Sequence, residues 1–460
     1  MGSEGAPANR GLAHLSRPAS HYAGAVEAAA AWLTPRRLRV YPAALSLGVI
    51  LSAAWMSFAA VRSGVPFFLT VGQDFKGYYT GGRFFVEGRL AELYNFEAQQ
   101  AFQKSLAIPE DKLLPFIHPP FTVILWAPFA LRNYALGLLL WWAAGLLALV
   151  VSLRLLRREL MPASNVSLRR LVLLAFLFYP ALAWFLYAQN TALTLLLYTL
   201  AFVLLRRERD FAAGLALGLL LYKPQLALVL CGVLLLKRRW RALVGVALCA
   251  GLWLALGFAL SPAVMREYAT ISPKLLSLLV SASSPDSKVW AVHTFYSFAV
   301  LLLGGLWPRG AEILGALLTS GGLILVATWW WSAPWQPGTR AWDMVFAATL
   351  TLGLLITPYV YFYDLMLLLV PLAIVWSYYP GGQEGRALDG GPLLAWTAAL
   401  YVVTFAGNFL SAAAWPLSAS FGLPRIALQV SVPVIAAWAW LVRRLAQAPT
   451  AAPSPSEQCR

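Results

Sequence analysis

The sequence predicts an all-α, polytopic integral membrane protein, and three observations carry that prediction. Of 460 residues, 60% are hydrophobic and 12% charged, with a mean hydropathy of +0.68, whereas a soluble globule is ~45–50% apolar and about 25% charged. Apolar runs recur at 41–61, 133–153, 171–188, 240–260, 310–331, 341–357, 392–409 and 425–442, each close to the ~20 residues that a bilayer requires. Finally, 35 Lys and Arg against 19 Asp and Glu give a net charge of +16, and the excess is clustered. Helices rather than a barrel must carry the runs, because each then satisfies its own backbone in lipid.

Taken in chain order, Arg36, Arg37 and Arg39 precede the first run, and Arg154, Arg157, Arg158, Arg169 and Arg170 follow the second. Further groups lie at 206–209, 237–241 and at Arg443 with Arg444. Because the clusters abut spans, they read as cytoplasmic anchors and not as nucleic-acid contacts. That orientation puts both termini inside, implies about twelve spans, and collects the polar, non-basic features outside: Asp74 and its loop, Gln189 with Asn190, Lys223, residues 261–290, the Tyr-rich turn 358–364 and the uncharged stretch 410–424. It requires 119–131 and 290–307 to be re-entrant or interfacial. It also requires 211–222 and 224–236 to be short spans that meet at Lys223 and Pro224.

Residues 1–40 are expected to be cytoplasmic and partly disordered, with 41–61 an uncleaved signal anchor. Residues 41–445 form the transmembrane domain, and 446–460, rich in Ala, Pro and Ser, a disordered tail. The three cysteines, Cys231, Cys249 and Cys459, supply neither a disulfide framework nor a Cys-rich metal site.

The first external loop, 62–118, balances six basic against six acidic residues, as a translocated, folded loop can. The stretch YYTGGRFFVEGRLAELY spaces its aromatic and apolar residues as one amphipathic interfacial helix, followed by another at 96–106. Two surface helices with solvated charges explain Glu87, Glu97 and Lys104. They explain Asp74 less well, because an acid at a span exit has no helical partner nearby and is costly when half-buried.

Other polar residues stand in apolar surroundings. His118 precedes Pro119 and Pro120, which forbid a helix there and leave the imidazole either as an interfacial cap or as a functional group. Lys223 lies inside AAGLALGLLLYKPQLALVL with no acid nearby in sequence; snorkelling accounts for a lysine near a helix end, but the following proline points to a break where the ammonium meets an anion. Gln189 and Asn190 in FLYAQNTALTLLLY read equally as a polar turn or as substrate contacts, and so does His293 in WAVHTFYSF. Asp364 in TPYVYFYDLMLLLVP opens a span alone, a costly placement unless paired, solvated or functional. Tyr359, Tyr361 and Tyr363 beside it fit an interfacial aromatic belt.

In the order DFKGYYTGGRFFVEGRLAELYN, HPPFTVILWAPFA, AQNTALTLLLYTLAFVLL, AAGLALGLLLYKPQLALVLCGVLLLKRRW and TPYVYFYDLMLLLVP, the chain resembles glycosyltransferase family 87 over roughly residues 40–440. The resemblance implies a multi-spanning GT-C-like fold, a polyprenyl-phosphate sugar donor entering from the membrane, and a glycolipid or glycan acceptor approached from the outer side of the plasma (inner) membrane. By the family pattern Asp74 is the catalytic acid of the first loop, and Lys223 of the Lys-Pro pair meets the donor phosphate. The mannosyltransferase branch carries a histidine pair near the turn where this chain has Tyr361 to Asp364, so mannose and a phosphoinositide acceptor are not carried over.

The chemistry agrees. A carboxylate within hydrogen-bond reach makes a sugar hydroxyl nucleophilic by taking its proton, which assigns Asp74 as base. The phosphate leaving group needs its charge neutralised, by Lys223 with His118 and Lys288. Tyr78, Tyr79, Gln189, Asn190, His293, Tyr363 and Asp364 complete the expected substrate contacts. One carboxylate suffices and inversion of a hexosyl group is expected, whereas retaining hydrolases work with two acids about 5 Å apart. No cofactor is expected, and with no DxD-like pair in the first loop, no essential metal. Two rivals remain. A transporter or flippase of a lipid-linked or polar solute requires paired repeats of interrupted helices, and one clear interruption, at Lys223, stands in the sequence. A non-catalytic scaffold does not require Asp74 and Lys223 to face one cavity.

Overall fold

The computed structural model describes residues 34–106, 113–162, 166–280, 288–378, 390–420 and 426–447. The expected N-terminal segment before Thr34, the tail beyond Gln447 with Cys459, and parts of the stretches 261–290 and 410–424 lie outside the described residues. Within them the chain is helix, turn and loop, with one isolated antiparallel bridge between Val292 and Tyr361.

Helix α1 runs over Pro35–Arg62, the first loop supplies α2 (Phe75–Val86) and α3 (Phe96–Ser105), and α4 (Val123–Ala130) comes after it. There follow α5 (Tyr134–Leu160), α6 (Leu168–Leu177), α7 (Tyr179–Tyr187), α8 (Thr191–Arg206), α9 (Asp210–Leu219), α10 (Pro224–Leu236) and α11 (Trp240–Leu260). The remainder comprises α12 (Pro262–Val280), α13 (Phe295–Leu303), α14 (Pro308–Ser332), α15 (Arg340–Ile356), α16 (Leu369–Ser377), α17 (Gly390–Ser420) and α18 (Ser431–Leu445).

Among the described residues five helices are long and apolar enough to cross a membrane: Val40–Arg62, Tyr134–Leu160, Trp240–Leu260, Pro308–Ser332 and Leu393–Ala414. Their faces expose Leu51, Trp55, Leu147, Leu252, Leu317 and Ile324, a surface that suits lipid and not water. The protein is membrane-embedded. The run 171–188, expected as one span, is instead α6 and α7 bent by 83°. Pro180 is the cause: it has no N–H to offer a helix continuing from α6, so Phe178 turns extended and α7 starts afresh. Counted as one broken span, the pair makes six.

A second break falls at Lys223, which leaves the helix at φ −136° and ψ 67°. Pro224 disfavours helical geometry at the residue before it and opens α10, so the polar lysine stands at the junction of two short apolar helices.

The first loop departs from its expected form. Gly88, at φ +72°, splits the expected amphipathic helix into α2 and a 3₁₀ turn at Leu90–Glu92. Nor does α2 lie on a surface, since Phe75 to Gly82 and Phe84 are buried. Glycine permits this burial. A Cβ on Gly82 would lie 2.8 Å from the Trp126 carbonyl oxygen and one on Gly81 2.3 Å from the Phe116 ring, so α4 and the segment before it close directly onto the α2 backbone. Gln99 and Gln103 of α3 latch that segment: Gln99 Oε1 accepts from the Phe116 amide at 2.7 Å, and Gln103 Nε2 donates to the Leu114 carbonyl at 2.8 Å. The outward charges pair locally as Arg83–Glu87 and Arg89–Glu92.

Far from this loop, the helix ends carry a second polar assembly. Arg206 at the end of α8 bridges Glu159 of α5 at 2.8 Å and the buried Asp343 of α15 at 3.2 Å, and Asp343 also accepts from the Tyr378 hydroxyl at 2.7 Å. Arg207 adds a second contact to Glu159, and Arg239 pairs with Asp210. Part of the clustered basic charge is thus fastened into the fold.

Candidate active site

Asp74 occupies the N-cap position of α2, yet its side chain caps nothing in its own helix. The backbone around it is tied to the α7–α8 turn instead: the Gly72 amide donates to the Leu186 carbonyl at 3.0 Å and the Asp74 amide to the Tyr187 carbonyl at 3.1 Å. The carboxylate thereby meets Gln189, whose Nε2 donates to Asp74 Oδ2 at 2.6 Å. Asp74 is deep in the protein while retaining partial exposure. Burial pushes its carboxyl above the usual range, against the bond from Gln189 and the charges of Lys288, Lys76 and Lys223.

The turn that presents Gln189 is itself unusual. Ala188 has φ 54° and ψ 43°, a left-handed conformation costing an alanine about 1 kcal/mol. Two indoles hold it there. Trp141 Nε1 donates to the Ala188 carbonyl at 2.8 Å and Trp184 Nε1 to the Gln189 carbonyl at 2.7 Å. Tyr78, stacked on Trp126 with ring centroids 4.4 Å apart, donates its hydroxyl to Gln189 Oε1 at 2.6 Å. Gln189 Nε2 also reaches the Tyr363 hydroxyl at 3.0 Å.

Across from this group, Lys223 Nζ lies 2.8 Å from Asp364 Oδ1, both side chains almost wholly buried. The lysine with no acid nearby in sequence therefore meets a carboxylate of the protein. Thr191 at the start of α8 donates to the same oxygen at 2.7 Å. His118 lies between the halves, its ring 5.3 Å from that of Tyr78. Burial and the Lys223 charge lower its pKa to about 3, against a hydrogen bond to the Tyr222 backbone, so near neutral pH the imidazole is uncharged and its one N–H is directed to that backbone. Lys288 is exposed, at the head of the turn preceding the Val292–Tyr361 bridge, and its charge reaches Asp74.

The structure thus brings together Asp74, Tyr78, His118, Gln189, Lys223, Tyr363 and Asp364, with Lys288 at the edge. Asn190 adjoins them: its backbone N–H faces Gln189 Oε1, and its buried amide has no hydrogen-bond partner for either polar atom among the described residues. Two expected contacts stand elsewhere. Tyr79 turns away, donating to the Arg132 carbonyl at 2.8 Å beside a separate open cleft of about 370 Å³ that includes Arg83 and Phe102. His293 is fully buried, with Nδ1 2.6 Å from Ser431 Oγ and its amide donating to the Val360 carbonyl, and so it braces the 359–363 segment from behind.

Sequence reasoning passed over Thr191, Thr194 and Tyr198. They form one face of α8 and bond in turn to Asp364, Tyr222 and the Leu226 carbonyl. Their i, i+3, i+7 spacing in an otherwise apolar helix was the available signal. Lys76, buried on α2, gave none. Among the described residues no group of three or more His, Cys, Asp or Glu side chains is placed to hold a metal ion.

The model of glycosyltransferase family 87 matches residues 116–358, just over half of the chain. The chain belongs to glycosyltransferase family 87. It is therefore a membrane-embedded glycosyltransferase, an enzyme with a sugar donor and an acceptor. The stretch matched to family 87 contains His118, Gln189, Asn190, Lys223, Lys288 and His293, while Asp74, Tyr78 and Tyr79 precede it and Tyr363 and Asp364 follow it. No curated protein and no solved structure matches the chain.

Proposed function

We propose that this family 87 enzyme moves a hexosyl group from a polyprenyl-phosphate sugar to a hydroxyl of a glycolipid or glycan, with inversion, on the external face of the plasma (inner) membrane. The observation that supports this reading is the cluster itself: a base-capable carboxylate, Asp74, is held at one side and the buried Lys223–Asp364 pair at the other, with His118 between. The domain is residues 41–445 in a GT-C-like arrangement of about twelve spans. Short helices such as α8, α9 and α10 supply spans beyond the five or six recognised by length.

In the proposed reaction Asp74 accepts the acceptor proton as its oxygen bonds to the anomeric carbon. The bond from that carbon to the donor phosphate breaks on the opposite side, and polyprenyl phosphate leaves. Lys223 and Lys288 receive the charge gathering on the leaving phosphate, with the neutral His118 imidazole beside them. Because Asp364 already neutralises part of Lys223, Lys288 and the buried Lys76 matter to the net charge of the site. Tyr78 and Tyr363 present hydroxyls to the sugar, and Asn190 an amide without a partner among the described residues.

Purified enzyme in liposomes is expected to transfer sugar from a polyprenyl-phosphate donor and not from the corresponding nucleotide sugar. Direct use of a nucleotide sugar would overturn the donor assignment. The face of action is checked by cysteine labelling at Glu97, since the exposed Glu97 does no capping, whereas Asn95 caps α3. Labelling of Glu97→Cys in intact cells by an impermeant maleimide is expected, and labelling only after permeabilisation reverses the orientation.

A further inference from the structure

We infer that Gln189 is a positioning residue for Asp74: its carboxamide, locked in one orientation, holds one carboxylate oxygen and leaves the other to the acceptor hydroxyl. The inference rests on the reading of Asp74 as the base.

The orientation follows from counting donors and acceptors. The Tyr78 hydroxyl donates to Gln189 Oε1 at 2.6 Å, and the Asn190 backbone N–H points at the same atom at 3.3 Å. The Nε2 end spends one hydrogen on Asp74 Oδ2 at 2.6 Å and the other on the Tyr363 hydroxyl at 3.0 Å. A flipped amide would set its NH₂ against the Asn190 N–H and its oxygen against a carboxylate, so the network admits one assignment. The bond from Gln189 falls on Oδ2 and leaves Oδ1 outside it.

The frame around this bond is fixed from both sides. Trp141 and Trp184 hold the left-handed Ala188 turn, and two backbone bonds tie residues 72–74 to the same turn. Gln189 and Asp74 thus share one rigid support. That is what placing a proton acceptor requires, because a misplacement of about 1 Å costs on the order of 10²-fold in rate.

An N–H donated to a carboxylate favours its charged form, so loss of the Gln189 bond raises the Asp74 pKa further. The other charges facing Asp74 are Lys76 on its own helix, Lys223 at the α9–α10 break and Lys288. The neighbouring titratable groups are the phenols of Tyr78, Tyr134, Tyr187, Tyr361 and Tyr363, with Asp364 beyond them. None of the lysines is altered by a substitution at Gln189.

The test is Gln189→Leu, with Gln189→Glu as the isosteric companion, assayed in liposomes across pH with the polyprenyl-phosphate donor. In Gln189→Leu, kcat is expected to fall roughly 10- to 100-fold, with donor KM nearly unchanged and the acid limb of the rate profile moved to higher pH. Gln189→Glu, which keeps the shape but places a like charge beside Asp74, moves the limb the same way and recovers activity as pH rises. A raised donor KM with an unmoved acid limb would make Gln189 a substrate contact and overturn the inference, as would wild-type behaviour. Should Gln189→Leu fail to fold, Gln189→Glu carries the test alone. Asp74→Asn run alongside separates the two levels: if it is inactive while both Gln189 profiles stay unshifted, positioning is wrong and the base assignment stands; if it is active, the base assignment itself falls.

Discussion

Asp74→Asn is expected to reduce kcat by at least ~10²-fold, the largest loss from any single substitution in the site, with folding and donor binding retained. Asparagine can turn its carbonyl oxygen to Gln189 Nε2 and keep that bond. The group then facing the acceptor is an amide NH₂, which donates and cannot take a proton. The backbone bonds that hold residues 72–74 to Leu186 and Tyr187 do not involve the side chain, so the loop stays in place. Because burial raises the Asp74 carboxyl and the base works only when deprotonated, wild-type activity is lost as pH falls through that raised pKa, above the ordinary ~3.9 of an aspartate. A variant keeping more than half of wild-type turnover in liposomes means that another group is the base.

Lys223→Met is expected to do two things at once. It removes the charge proposed to meet the donor phosphate, and it leaves Asp364 buried without its partner. Breaking a buried pair from one side typically costs 3–5 kcal/mol, roughly the range to expect here, although Thr191 continues to donate to Asp364. The double variant Lys223→Met with Asp364→Leu separates the effects, because replacing both members of a buried pair by apolar groups is often nearly neutral. The single variant is expected to lose thermal stability and at least ~10-fold in donor affinity, as for a hydrogen bond between charged groups. In the double variant stability returns and affinity does not. Recovery of affinity along with stability makes the lysine a structural partner only.

How much of this was legible in the sequence depended on whether the cause was local. Composition and run length imply membrane helices, and a lysine before a proline inside an apolar run implies the break at Lys223; both follow from neighbouring residues. The bend at Phe178 was equally local, and Pro180 was the missed sign. The burial of α2 was half-legible, because Gly77, Gly81 and Gly82 mark a face that another backbone approaches, but the sequence does not say which one. The pairings that make the site were not legible at all. Asp364 lies 141 residues from Lys223 and Gln189 115 residues from Asp74, and no periodicity encodes which helix ends come together. Hence Asp364 read as a lone acid and Gln189 as an undecided turn.

The second polar assembly allows the depth of the site to be gauged. Arg206 ends α8, at whose other end Thr191 touches Asp364; α8 has 16 residues, about 24 Å at 1.5 Å per residue. From the Lys223 break, α10 runs 13 residues to Lys237, or about 20 Å. The hydrocarbon layer is ~30 Å thick. If the ionic helix ends mark one boundary of that layer, the Lys223–Asp364 pair lies some 6–10 Å short of the other, and tilt only widens the gap. A phosphate carried at headgroup level must then sink below the waterline to reach the lysine, or the bilayer must thin around the protein to meet it. At that depth bulk water screens poorly, so a modest count of charges acts on the donor with a strength they would lack at the surface.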